Sequence, residues 1–266
     1  MPPYHPKKRL GQHFLNAPAV INAVIERVNP APGQNIIEIG PGQGVLTIPL
    51  AESGASVLAV EFDEDLMRGL KKITATYHNV KILCLDFLEF DPDNDTFASF
   101  KLVGNIPYNI TSPVIDWCIR HYEVLDSAVL MVQKEIAERL AASPGNKNWS
   151  PLSIFTRLYF TVKKLFDVPP ESFYPPPEVH SAVVELVPRI KVNVPDFKLF
   201  ERVVRQSFLH RRKLLINNLV PDIITESKKA ESIFSELGFK DNLRAEELSI
   251  EQFLKLTNYL ISHNII

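Results

Sequence analysis

The sequence predicts an α/β fold with a mainly parallel sheet, followed by a small all-helical domain. Three observations carry this. Short β-rich runs alternate with helical segments between residues 35 and 142. A further strand-like run, SAVVELV, follows a proline-rich stretch. From 196 to 263 the apolar residues recur only with helical spacing, enough for about four helices.

The elements follow in order. Residues 1–15 are basic and irregular. Asn16-Ala17-Pro18 reads as a helix start, with an amide cap and an early proline, and AVINAVIERV continues it. NIIEIG is a buried strand, PGQG a turn and VLTIPLAES a helix. SVLAVE is the second strand, and Asp63 is placed to cap a helix through LMRGLKKI. VKILCLD and KLVGN are the third and fourth strands. TSPVIDWCIRHY is helical, with Thr111 or Ser112 as its cap; DSAVLMVQ is a fifth strand and KEIAERLAA a helix. SPGNKNWSP is loop-like, and VPPESFYPPPEVH holds too many prolines for regular structure. VPRIKVNVP is a linker, which sets a boundary near 188 and divides the chain into 1–188 and 189–266.

Composition narrows the class. The 266 residues are 45% hydrophobic and 23% charged, as in ordinary globular proteins. No apolar run is long enough to span a bilayer, and the basic N-terminus lacks the apolar core of a secretory signal, so the expected location is the cytoplasm. Cys84 and Cys118 have no CxxC spacing and read as buried reduced thiols. The seven histidines are scattered without ligand spacing, so no metal is expected. Net charge is −2, but residues 189–266 carry 13 basic against 10 acidic side chains, and 198–213 carry 6 against 1. Any polyanion must be held by local patches such as Arg205, Arg211, Arg212 and Lys213.

In sheets of this kind, ligands sit at the carboxyl ends of the strands. That rule groups Gly40, Glu61, Asp86 and Asn105, each at or just past a strand end. Gly40, Gly42 and Gly44 in IIEIGPGQG let the backbone turn and approach a ligand. Glu61 follows at the end of the next strand, about 20 residues on, the spacing of an acid that grips ribose hydroxyls. The third glycine comes one position earlier than in GxGxxG, and no donor set for a pyrophosphate is evident. S-adenosylmethionine fits this pattern better than NAD, with Asp86 accepting from the adenine amine. Asn105-Ile106-Pro107-Tyr108 then supplies the chemistry. The Asn105 Oδ1 and the carbonyl of Ile106 or Pro107 would hold the hydrogens of an adenine N6 amine, and Tyr108 would stack on the unstacked base. Each element alone has a plainer reading: a packing turn, a solvated acid, a cap aspartate, an Asn-x-Pro turn.

The stretches KKRLGQHFLN, EIGPGQGVLT, VEFD, Leu85-Asp86, NIPYNI, FYPPPEVHS, RRKLLINNL and RAEELSIEQF, spanning about residues 7–260, resemble the ribosomal RNA adenine N6,N6-dimethyltransferases. Within them the bacterial small-subunit type is the nearest. The resemblance implies a Rossmann-like, seven-stranded S-adenosylmethionine-dependent methyltransferase sheet with helices on both faces, and a helical C-terminal domain that helps dock RNA. It implies dimethylation of two adjacent adenosines near the 3′ end of 16S rRNA, without a metal, on a partly assembled small subunit, by a monomer. It places His13, Leu15, Gly40, Gly42, Glu61, Asp86 and Asn105 at the cofactor. Asn105, Pro107 and Tyr108 would serve catalysis, with Phe173 covering the second face of the base. The chain departs at His13, where many relatives carry Asn. The rival readings are the 23S rRNA methyltransferases of the macrolide-resistance type, a non-catalytic binding factor of the same fold, and an NAD-dependent oxidoreductase.

Overall fold

A computed structural model of the chain describes residues 6–7, 11–92, 98–190 and 192–265. It divides into two compact units. The first runs up to Ala137 and returns with Phe160–Arg189; the second is Glu138–Tyr159 with Ile190–Ile266. Residues 138–159 were expected within the first domain. They join the second because Trp149, Ile154 and Leu158 are buried in its core with Phe200, Phe234 and Phe253. The Trp149 Nε1 also donates to the Leu248 carbonyl (2.9 Å), which satisfies the indole in that core.

The first unit opens with a two-residue strand β1 (Phe14–Leu15) and helix α1 (Pro18–Val28). Strand and helix then alternate through β2 (Asn35–Ile39), α2 (Thr47–Glu52), β3 (Ser56–Glu61), α3 (Glu64–Ile73) and β4 (Val80–Cys84). They continue as β5 (Phe100–Asn105), α4 (Thr111–Arg120), β6 (Leu125–Gln133) and α5 (Lys134–Ala141). After α6 (Pro151–Tyr159) come β7 (Phe160–Val168), β8 (Phe173–Tyr174) and β9 (Ser181–Pro188). Seven strands form one sheet in the order β4-β3-β2-β5-β6-β9-β7; β1 and β8 pair separately. The strands from β4 to β6 are parallel, whereas β9 runs antiparallel to β6 and β7 to β9. Strand order reverses between β2 and β5, which opens a crevice at their carboxyl ends. The two strands approach so closely that a Cβ on Gly104 would lie 2.8 Å from the Ile39 carbonyl oxygen.

Local expectations differ from the structure at several points. The cap of α1 is Ala17, not Asn16, whose backbone N–H is used instead on the Ser172 carbonyl (2.9 Å). The cap of α4 is Ile110, and the Thr111 hydroxyl bonds back to the Tyr108 carbonyl (3.3 Å). Asp63 does cap α3, accepting from the Asp65 N–H (3.0 Å). Strand β7 gives no clean period-two pattern because a bulge between Lys164 and Phe166 shifts its register. Its exposed charges suit a sheet edge. The proline-rich segment holds β8, two residues long. Cys84 is exposed rather than buried, because it ends the other edge strand, β4, whereas Cys118 is buried.

The second unit places α7 (Phe197–Ser207), α8 (Leu215–Leu219), α9 (Ser227–Leu237) and α10 (Ile250–Ser262) around one core. Ser249 starts α10 with a reciprocal capping box to Gln252. No helix among the described residues is long and apolar enough to cross a membrane.

Candidate active site

The crevice at the ends of β2, β3 and β5 has a volume of about 250 Å³. Its lining includes His13, Leu15, Gly40, Gly42, Glu61, Asp86, Asn105, Pro107 and Tyr108, so nine of the ten expected site residues meet at one place. The tenth, Phe173, does not. It is 3% exposed and packs in the core cluster with Leu15 and Val183, because alternation along β8 turns it inward.

The glycine loop after β2 works through its backbone. Gly42 has φ +55°, and a Cβ there would lie 3.2 Å from the Phe14 ring, so only glycine lets the loop and the N-terminal arm close together. Its N–H donates to Glu61 Oε2 (3.1 Å), while the Asp63 N–H donates to Oε1 (2.8 Å). These bonds aim the carboxylate at the end of β3. Glu61 is only 6% exposed, and burial pushes its carboxyl upward against the pull of those two N–H groups.

Asp86 caps a short 3₁₀ turn over Phe87–Glu89, accepting from the Leu88 N–H (3.0 Å). The cap and binding readings of this residue are compatible, since a carboxylate has acceptor capacity to spare.

Asn105 ends β5. Its Nδ2 donates to the His13 carbonyl (2.8 Å), which leaves Oδ1 as its acceptor. Ile106 is anchored by its N–H to the Met131 carbonyl (2.9 Å), and the Pro107 carbonyl accepts from the Ile110 N–H (3.0 Å). Tyr108 opens the short turn that follows. Its hydroxyl bonds the Ser181 Oγ (2.9 Å), and burial pushes the phenol upward. The His13 ring stacks on the Tyr108 ring, 6.1 Å between centroids and 23° between planes. His13 Nδ1 lies 2.7 Å from the Pro175 carbonyl, and since a carbonyl only accepts, Nδ1 carries the proton.

Three further features escape a reading by strand ends. Glu38, inside β2, lines the crevice floor, accepts from the Thr47 hydroxyl (2.6 Å), and is pushed up to about 8 by burial. Phe62 lines the crevice while 61% exposed; its signal was the aromatic directly after the strand-end acid in VEFD. Lys7 reaches Asp63 (2.7 Å) and Asp65 (2.8 Å), and Gln12 Nε2 donates to the other Asp63 oxygen (3.0 Å), so the arm is tied to the loop that follows Glu61. Lys8 and Arg9, the rest of that basic cluster, lie outside the described residues. Among the described residues, no group of three or more His, Cys, Asp or Glu is placed to hold a metal ion.

In the second unit the four expected phosphate contacts separate. Arg205 pairs with Glu201 (2.8 Å) and lies over the Phe155 ring (5.2 Å). Arg211 donates to the Lys147 and Trp149 carbonyls. Arg212 and Lys213 are exposed in the turn before α8, and among the described residues their side chains have no ion-pair partner.

A family model described as ribosomal RNA adenine dimethylase matches residues 5–262. A protein of Xanthomonas campestris pv. campestris (strain B100), named ribosomal RNA small subunit methyltransferase A, is 40% identical over 255 residues, 95% of each chain. The protein of that name in Pseudomonas aeruginosa is 39% identical over 258 residues, 96% of this chain and 94% of its own. Among solved structures, a dimethyladenosine transferase from Plasmodium falciparum superposes with a TM-score of 0.82 at 28% identity, covering 95% of this chain and 99% of its own. The 23S rRNA methyltransferase ErmE superposes with a TM-score of 0.74 at 26% identity, covering 93% and 99%.

Proposed function

The chain belongs to the ribosomal RNA adenine dimethylase family, and on that footing we propose that it dimethylates N6 of two adjacent adenosines near the 3′ end of 16S rRNA. It is an S-adenosylmethionine-dependent rRNA adenine dimethyltransferase. Its substrate is a partly assembled small subunit in the cytoplasm. The small-subunit reading is favoured over the 23S one by identity: about 40% to proteins named for the small subunit, against 26% to ErmE.

The observation that carries the reading is the orientation of Asn105. With Nδ2 committed to the His13 carbonyl, Oδ1 is the acceptor left for an amine. The second acceptor is the carbonyl of Ile106 or Pro107; that of Pro107 already accepts the Ile110 N–H, which leaves it one lone pair. In the first transfer two acceptors on the N6 hydrogens draw its lone pair out of conjugation with the ring; in the second, one hydrogen remains and one acceptor holds it. Tyr108, held by Ser181 and His13, offers a ring face to the base. S-adenosylmethionine supplies a methyl group on a positively charged sulfur. The residues present fit it: Glu61 would accept from the ribose hydroxyls and Asp86 from the adenine amine, with Phe62 against its ring and Gly40 at the methionine part. The amine forms the new C–N bond as the S–CH₃ bond breaks, and its surplus proton leaves to solvent. The acceptor pair requires no general base in this step.

The test is transfer of labelled methyl to small subunits lacking dimethyladenosine, with large subunits in parallel. Label in small-subunit RNA as dimethyladenosine, lowered at least a hundredfold by Asn105→Ala, is the expected result. Label in large-subunit RNA alone would reject it.

A further inference from the structure

Building on the methyl-transfer reading, we propose that Tyr174 is an aromatic side chain that stacks on an RNA base next to the reacting one, beside the crevice. The register of the β1/β8 ribbon carries this. Phe14 faces Tyr174 and Leu15 faces Phe173. Directly opposed residues of an antiparallel pair project to the same face, and successive residues alternate. Leu15 and Phe173 lie in one buried cluster, which defines the core face. Leu15 lines the crevice as well, and so does Phe14 on the other face. Tyr174 stands beside it and is 64% exposed.

The chain on either side supports the same place. The carbonyl of the next residue, Pro175, holds His13, whose ring stacks on Tyr108. The residue after Tyr174 is thus tied to the catalytic aromatic through His13. Pro175, Pro176 and Pro177 follow it and restrict the backbone, so little order remains to be imposed on binding. A nucleobase of single-stranded RNA suits such a ring, because every base has a π-face and needs no matching hydrogen bonds. The base is one that adjoins the flipped adenosine.

Methyl transfer to small subunits lacking dimethyladenosine is measured for wild type, Tyr174→Ala, Tyr174→Phe and Phe173→Leu, with S-adenosylhomocysteine affinity by calorimetry. Tyr174→Ala is expected to raise the KM for subunits roughly tenfold. Its cofactor-product affinity stays at the wild-type value, and Tyr174→Phe restores the KM. A wild-type KM in Tyr174→Ala, or a KM rise confined to Phe173→Leu, overturns the assignment. Wild-type protein that transfers no methyl to the small subunit rejects the parent reading itself, and this one with it.

Discussion

Glu38 shows how a single position reads its environment. It sits one residue before the end of β2 with one hydroxyl partner, and desolvation outweighs that bond. Its carboxyl moves from 4.5 to about 8, with Glu61 adding repulsion. The folded state therefore keeps a proton that the unfolded chain has released across that window. The stability this group contributes is full below about pH 4.5 and is lost as pH rises towards 8. Urea unfolding between pH 5 and 8 should show stability falling by at most about 1.4 kcal/mol per pH unit from this group. Glu38→Gln, which keeps an acceptor for Thr47, should flatten that slope. An unchanged slope would mean that Glu38 is ionised in the fold.

Elements act here through close approach and through ties between segments. Strand β5 can lie against β2 only because Gly104 has no side chain. Gly104→Ala should cost about 1–3 kcal/mol by overpacking, read as a lower Tm, and should displace Asn105 one residue on, read as a lower kcat. Asp63 combines two roles, capping α3 and tying Lys7 and Gln12 of the arm to the loop after β3. Asp63→Ala should lose about 1 kcal/mol for the cap. It should also raise the KM for S-adenosylmethionine, because the arm forms one wall of the crevice. Lys7→Met separates the two effects: it should raise that KM while leaving the cap intact.

Across the whole molecule, net charge says little about RNA and local charge says more. The basic stretch at 198–213 has three of its arginines, Arg202, Arg205 and Arg211, bonded to partners within the chain. Arg211, Arg212 and Lys213 are all exposed in that turn, and among the described residues the last two have no ion-pair partner. Arg212→Ala and Lys213→Ala should each reduce the slope of log affinity against log salt for small-subunit RNA by about 1. Arg205→Ala should change that slope little and lower the Tm of the protein. Filter binding at several salt concentrations distinguishes the cases.

The sequence by itself determined the mainly parallel sheet, the four C-terminal helices and the strand-end residues that meet at the crevice. Apolar period, glycine position and strand-end chemistry are local properties, and strand ends converge in any sheet of this topology. Tertiary structure decided what depends on which groups face each other. It put residues 138–159 with the C-terminal helices, because only the folded core shows where Trp149 is buried. It turned Phe173 inward and Tyr174 outward, because a two-residue strand has too few positions to display a period before its partner is known. It raised Glu38 through burial, a quantity that the composition of NIIEIG does not contain. It also chose which face of Asn105 is free, because the hydrogen bond that orients the amide comes from His13, 92 residues away along the chain.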